Sequence, residues 1–169
     1  MMIETLRLYL EEAKESDIGI IMEMERHKDN ADYVWKGTYE EHKLEIKDQD
    51  FLLLLIKEKE NNETVGFALN YLDRKSERFE LRRVVISKKG MGYGREVMSA
   101  LFKLAFIELD MNRFWLDVYP DNLIGIKLYE SVGMHMDGIL RQNYKSERGY
   151  LDQIIYSMLK CEYKSSSCH

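Results

Sequence analysis

The most constraining feature of the chain is a short segment with glycine at three alternate positions, Gly90, Gly92 and Gly94. An apolar run at residues 84–86 precedes it, and a helical pattern of apolar residues begins directly after it. Glycine tolerates positive φ and lets a ligand approach the backbone closely. The free N–H groups in the first turn of a helix favour an anion. The segment therefore predicts a strand, a turn and a helix that together hold a diphosphate.

Two common nucleotide-binding signatures do not fit this segment. A P-loop requires Lys and then Ser or Thr after its last glycine, whereas Arg95 and Glu96 follow Gly94. A dinucleotide fingerprint requires the spacing G-x-G-x-x-G, which starts at neither Gly90 nor Gly92. A glycine-rich turn without a ligand is the remaining alternative.

A second segment places an amide and a phenol on one helix face. Asn122 and Tyr129 are separated by about two helical turns, or roughly 10 Å along the axis. This spacing predicts an amide near the middle of an extended cofactor and a phenol near its reactive end. The alternative is an amphipathic helix in which Tyr129 belongs to the core.

The apolar periodicity predicts a single α/β (α+β) domain with the order β-α-α-β-β-β-α-β-α-β-β. Its sheet is mixed but mostly antiparallel, has about seven strands and is flanked by helices. A capping box at Thr38 and Glu41 marks the start of the second helix, and Gly133 the end of the last one. The predicted strands cover residues 6–10, 51–56, 65–72, 79–86, 114–119, 139–144 and 150–159.

Composition sets the class of protein. An apolar share of 45% is typical of a globular core. The pattern predicts a domain over residues 1–162 and a frayed tail over residues 163–169. Cys161, Cys168 and His169 are too few for a disulfide framework or a metal site.

Charge and hydropathy limit the partners. The formal net charge of −5 argues against nucleic acid as a partner. The most apolar run, residues 51–56, is too short to cross a bilayer, and the first residues lack the pattern of a signal peptide. We therefore expect a cytoplasmic protein that binds neither nucleic acid nor membrane.

The two segments together resemble the GNAT superfamily of acetyl-CoA-dependent N-acetyltransferases, closest to its ribosomal-protein and polyamine acetyltransferases. The family's phosphate loop, Arg/Gln-x-x-Gly-x-Gly/Ala, is matched at residues 89–94. Its later helix, Asn-x-x-Ala-x-x-Leu-Tyr followed by x-x-Gly-Phe, is matched by Asn122, Gly125, Leu128, Tyr129, Gly133 and Met134. Three departures from the family pattern occur. Lys89 replaces Arg or Gln, which keeps the charge but loses a planar donor fork. The connection at residues 87–88 is a residue or two shorter than is common, and Gly125 replaces Ala, which costs about 1 kcal/mol of helix propensity.

The resemblance implies acetyl transfer by direct attack of an amine in a ternary complex, without a metal. The cofactor arm is expected between strands ending near Ile86 and Tyr119, where the sheet splays apart. The residues implied to bind acetyl-CoA are Val84, Val85, Ile86, Lys89, Gly90, Met91, Gly92, Tyr93, Gly94, Arg95 and Asn122.

The chemistry requires a base and an acid. An alkyl amine, with a pKa of about 10, must lose a proton, and the departing thiolate must gain one. Tyr129 is the expected general acid. The resemblance implies Glu80 as the base, and the alternative for Glu80 is a solvated charge at the strand end beside Arg82 and Arg83.

The acceptor is left open. Glu25, Trp35 and His42 come from the segment that usually walls the acceptor site, and His135 is expected to be structural. The acceptor is a primary amine of a small molecule or of a protein, and a homodimer also fits the resemblance. A non-catalytic acyl-CoA-binding sensor is the alternative function.

Overall fold

In the computed structural model of the protein, residues 1–166 are described, and they form one sheet of eight strands in the order β1-β2-β3-β4-β5-β6-β8-β7. The strands are β1 (Met2–Glu4), β2 (Leu8–Glu12), β3 (Phe51–Glu58), β4 (Thr64–Asp73), β5 (Arg78–Ile86), β6 (Arg113–Val118), β7 (His135–Ser146) and β8 (Gly149–Leu159). The helices are α1 (Ile18–Arg26), α2 (Tyr39–Lys47), α3 (Tyr93–Lys103), α4 (Leu123–Ser131) and α5 (Lys160–Ser166). The predicted single α/β domain with a mostly antiparallel sheet is confirmed.

Every neighbouring pair of strands is antiparallel except β5 and β6. The connection between these two passes through α3 and a π-helical extension, Leu104–Glu108, which returns the chain to the same end of the sheet. Their pairing covers only Arg78–Glu80 opposite Arg113–Trp115. Beyond Glu80 the two strands diverge, so the sheet opens between β5 and β6, as the family resemblance implied.

The core lies on both faces of the sheet. On one face α3 packs its apolar side, including Val97 and Leu101, against β-strand residues such as Phe79 and Phe114. On the other face a smaller cluster forms around Ile21 of α1. Because both faces are covered, β3 and β4 carry almost continuous apolar runs.

A bulge in β5 sets the direction of its side chains. Leu69 of β4 pairs with Arg83 and Asn70 with Leu81, so Arg82 is an extra residue without a partner. As a result, Phe79 and Leu81 belong to the core cluster on the α3 face, whereas Val85 belongs to the cluster on the α1 face. The same shift turns Arg83 toward α1 and α2.

The two ends of the chain differ from the sequence prediction. The first predicted strand begins at Leu8 rather than Leu6, and a short additional strand, β1, pairs with it. The chain turns at Leu6, whose side chain is exposed, and the alternating pattern did not reveal this turn.

At the other end, α5 continues past residue 162, where the domain was predicted to end. The physical reason is packing, because the ring of Tyr163 lies 5.2 Å from that of Phe106. The tail prediction is therefore corrected for residues 163–166. Cys161 is exposed, and Cys168 and His169 lie outside the described residues. Within residues 1–166, no helix is both long enough and apolar enough to span a membrane.

Candidate active site

The gap between the diverging strands β5 and β6 forms a cavity of about 310 Å³. A second cavity, of about 660 Å³, runs along the glycine segment. The two share the lining residues Val84, Lys89, Asn122, Ile124 and Tyr129. They therefore adjoin and form one elongated cleft, with the glycines at one end and the sheet opening in the middle.

The glycine segment has the backbone conformation that its sequence predicted. Gly90 and Gly92 have φ of 73° and 77°, and Gly92 is the left-handed N-cap of α3. Within residues 1–166, no N–H group from residue 88 to residue 95 donates a hydrogen bond to another main-chain group, and Glu96 is the first that does so. The amides are therefore free to bind an anion.

Contacts on the outer side fix this segment in place. Arg7 donates a hydrogen bond to the Met91 carbonyl at 2.7 Å, and the Tyr93 hydroxyl donates one to Glu58 at 2.7 Å. Lys88 forms ion pairs with Glu58 and with a second glutamate, so its charge is already balanced. The segment is preorganised without a ligand.

Three other cations line this end of the cleft: Lys89, Arg95 and Lys127. Burial lowers the pKa of Lys89, and its ammonium donates a hydrogen bond to Asn30 at 3.1 Å. Free amides and nearby cations together suit a diphosphate.

The exposed edge of β5 offers polar backbone groups to the gap. Ser87 N–H donates a hydrogen bond to Val65 O. Because the direction of the backbone hydrogen bonds alternates along an antiparallel strand, the N–H and C=O groups of Val85 also point toward β4. The N–H and C=O groups of Val84 and Ile86 then face the gap left by β6. The prediction that all three residues pair with a cofactor arm is narrowed to Val84 and Ile86, because Val85 is used within the sheet.

Asn122 and Tyr129 lie in the same cleft, as their spacing predicted. Asn122 is the N-cap of α4 and accepts a hydrogen bond from Gly125 N–H at 3.0 Å, which leaves its NH₂ group to donate. A Cβ on Gly125 would lie 2.8 Å from that NH₂ group, so glycine gives Asn122 room. Burial raises the pKa of Tyr129 above its ordinary value of 10.0, and the charge of Asp117 adds to the shift. The phenol therefore holds its proton at neutral pH.

Two carboxylates lie where the sheet opens. Glu80 and Asp117 line the 310 Å³ cavity. Burial, and next the charge of Glu80, raise the pKa of Asp117 to about 6, although Gln153 donates a hydrogen bond to it at 2.8 Å. Glu80 itself is paired with Arg82 at 3.1 Å. Sequence reasoning singled out Glu80 and missed Asp117, which the alternation of β6 and its parallel register with β5 place on the same face as Glu80.

A buried cluster of charges lies beside the 310 Å³ cavity, between α1, α2 and β5. Glu25 is fully buried and accepts hydrogen bonds from Arg83 at 3.1 Å and from Gly37 N–H at 3.0 Å. Arg83 also pairs with Glu45 at 2.7 Å, and its guanidinium lies 4.3 Å from the centre of the Trp35 ring.

His42 completes the cluster between Glu25 and Glu45. Burial alone would lower its pKa, but its hydrogen bonds to the two carboxylates raise the pKa to about 9. Trp35 lines the cavity, and its contact with an acceptor stays a prediction. Glu25 and His42 do not reach it, because both side chains are fully buried within the cluster. His135 lies on the surface, 3.6 Å from Glu162.

Removing the central cation of this cluster is expected to destabilise the fold. In Arg83→Met, Glu25 and Glu45 lose a buried partner, which costs about 3–5 kcal/mol. The matched control is Arg82→Met, whose more exposed pair with Glu80 is worth about 0–1 kcal/mol. Urea denaturation of both variants checks this. Equal losses of unfolding free energy would show that the buried cluster stabilises the fold no more than the exposed pair does.

Comparison with known proteins identifies the family. A model of the acetyltransferase (GNAT) domain matches residues 7–135. The uncharacterized N-acetyltransferase p20 of Bacillus licheniformis is 31% identical over 107 residues, which cover 62% of this chain and 60% of that protein. The uncharacterized N-acetyltransferase YokL, derived from prophage SPbeta in Bacillus subtilis (strain 168), is 27% identical over 119 residues, covering 69% of this chain and 67% of that protein. The matched part thus spans about three fifths of the length of the first of these curated relatives.

Solved structures share the fold. An acetyltransferase (GNAT family) from Bacillus anthracis has a TM-score of 0.81 at 20% identity, covering 96% of this chain and 100% of that chain. A spermidine N-acetyltransferase from Vibrio cholerae, in complex with CoA and spermine, has a TM-score of 0.83 at 17% identity, covering 94% of this chain and 98% of that chain.

Proposed function

Because the chain belongs to the acetyltransferase (GNAT) family, we propose that it transfers an acetyl group from acetyl-CoA to a primary amine by direct attack in a ternary complex. The observation that carries this proposal is the single cleft that joins a preorganised anion site to a buried tyrosine and a carboxylate of raised pKa. When bound, acetyl-CoA supplies the thioester that the amine attacks.

The residues at the glycine end fit an extended diphosphate ligand. The amides of residues 90–95 and the Lys89 ammonium would hold the diphosphate. Backbone groups of Val84 and Ile86 would bind the arm as an additional strand does, and Asn122 would donate its NH₂ group to it. The 660 Å³ cavity provides the volume for such a ligand.

The residues in the middle of the cleft fit the proton transfers. Asp117, with a pKa of about 6, is ionised at neutral pH and would accept a proton from the acceptor amine. Tyr129 keeps its proton and would donate it to the leaving sulfur. Glu80 is the second candidate for the base, but its carboxylate is engaged by Arg82.

The acceptor side supports a small cationic amine. Trp35, Tyr119 and Tyr144 line the cavity together with Asp117 and Glu80, and the two carboxylates attract an ammonium group. The structural neighbour from Vibrio cholerae acts on spermidine, a molecule of this class. A protein amine is the competing acceptor, and a cytoplasmic location remains a prediction.

Thiol release from acetyl-CoA over a panel of primary amines tests the proposal, with binding of acetyl-CoA measured in parallel. We expect turnover with at least one amine, and weaker acetyl-CoA binding in Gly90→Ala because a side chain at φ of 73° strains the loop by about 1–2 kcal/mol. Gly133→Ala is the control, since it carries a similar strain at φ of 90° outside the loop. Tight binding without any turnover would favour a non-catalytic acyl-CoA sensor, and no binding would refute the site.

A further inference from the structure

The turn between β7 and β8 reaches across the acceptor end of the cleft. We call residues 146–149 the strap. Arg148 in this strap donates a hydrogen bond to Asp32 O at 2.8 Å and forms an ion pair with Asp121 at 2.5 Å. Beside it, Lys36 pairs with Glu147 at 3.3 Å. Three polar contacts thus connect the strap to the α1–α2 segment and to the start of α4.

The strap covers a continuation of the acceptor cavity. A cavity of about 260 Å³ lies beneath it and shares Val34, Trp35, Tyr119 and Tyr144 with the 310 Å³ cavity. The remaining lining comes from the strap, from Lys145 of β7 and from the α1–α2 segment. The two cavities therefore adjoin at these four side chains, and the strap lines the second of them.

Arg148 lines this second cavity and lies beside two aromatic rings. Its guanidinium lies 6.0 Å from the centre of the Tyr33 ring and 5.8 Å from that of Tyr119. A guanidinium has donors that point in several directions, so one side chain can bond a carbonyl on one element and a carboxylate on another. Lysine, with a compact ammonium, cannot span both partners in the same way.

The opposite side of this cavity is firmly held. Gly37 N–H donates to Glu25, and Arg26 donates to Gly37 O at 2.9 Å. The segment that carries Asp32 and Trp35 is thus fixed at its C-terminal end by the buried Glu25 and by Arg26. Closure then depends on the strap itself.

We infer that Arg148 closes the acceptor end of the cleft and restricts the acceptor to a small free amine, excluding a polypeptide terminus. This inference rests on the proposed acetyl transfer. The 310 Å³ volume is at the lower end of the roughly 300–1,000 Å³ of small-molecule pockets. A protein terminus needs an open groove for the chain that follows it. The contacts of Arg148 with Asp32 and Asp121 close the cleft on that side.

The experiment compares three acceptors with wild type, Arg148→Ala, Arg148→Lys and Arg141→Ala. The acceptors are the best small amine of the panel, the same amine coupled to poly(ethylene glycol), and the α-amine of a short peptide. We expect wild type to prefer the small amine, and Arg148→Ala to raise the relative kcat/KM of the two bulky acceptors about tenfold. The relative kcat/KM values of Arg148→Lys should be closer to those of Arg148→Ala than to those of wild type. Arg141 is an exposed arginine on β7, and Arg141→Ala should have the selectivity of wild type.

A second measurement is independent of turnover. Hydrogen exchange of residues 29–38 should accelerate in Arg148→Ala and not in Arg141→Ala, because the contact with Asp32 O is lost. A wild type that acetylates the peptide as readily as the small amine would overturn the inference, as would unchanged selectivity and exchange in Arg148→Ala. If no amine is acetylated by any variant while exchange still accelerates, the proposed function fails and the closure by Arg148 stands.

Discussion

Tyr129→Phe is expected to lower kcat by about 10²- to 10⁴-fold while acetyl-CoA binds as in wild type. The phenol is buried, so its pKa is raised above 10.0, and it remains a proton donor throughout the neutral range. Phenylalanine keeps the ring and its packing but has no proton to give to the departing thiolate. Steady-state kinetics with the best amine, together with a direct binding measurement for acetyl-CoA, checks this result.

Tyr156→Phe provides the matched control. Its ring centre lies 6.3 Å from that of Tyr129, but its hydroxyl donates to Glu130 at 2.9 Å. Loss of that hydrogen bond is expected to cost about 1 kcal/mol of stability and to leave kcat unchanged. Equal activity of Tyr129→Phe and wild type would contradict the role of Tyr129 as the general acid.

Asp117→Asn is expected to lower kcat/KM by about 10²- to 10⁴-fold at neutral pH, because the base that accepts the amine proton is lost. In wild type, kcat/KM should rise with pH through the pKa of Asp117, about 6, since only the carboxylate can accept a proton. The variant should lack this limb of the pH profile. Glu80→Gln is the comparison: if it removes the limb and Asp117→Asn does not, the base is Glu80, as the sequence alone suggested.

Asp117→Asn should lower activity but increase the stability of the fold. The folded-state pKa of Asp117 lies above its ordinary value of 3.8, so the protonated form stabilises the fold. That contribution is fully present below pH 3.8 and is lost as pH rises through about 6. At pH 7–8 the uncharged Asp117→Asn variant should therefore have a free energy of unfolding about 1–3 kcal/mol higher than that of wild type. Urea denaturation measures this difference. A less stable variant would show that the carboxylate is needed by the fold rather than by the reaction.

Local features of the site were predictable because they depend on neighbouring residues. The positive φ of Gly90 and Gly92 follows from the residue type, and the capping box at Thr38 and Glu41 follows from a spacing of three. Asn122 at the start of α4 belongs to the same class. In each case the interacting groups lie within one helical turn, so the sequence contains the whole interaction.

Contacts between distant segments were not predictable in this way. Glu25 was expected to wall the acceptor site, but the bulge at Arg82 turns Arg83 toward it and encloses both side chains. Asp117 became a candidate base only through the register of β6 beside β5 and the burial that raises its pKa.

The sequence by itself determined the glycine loop, the helix with Asn122 and Tyr129, and the family fold, because local backbone preferences and apolar periodicity encode them. The tertiary structure decided which carboxylate lies in a site of raised pKa, which charges are enclosed, and where Arg148 spans the cleft. The physical reason is that these properties depend on burial and on strand register. Both arise only when segments far apart in the chain pack together.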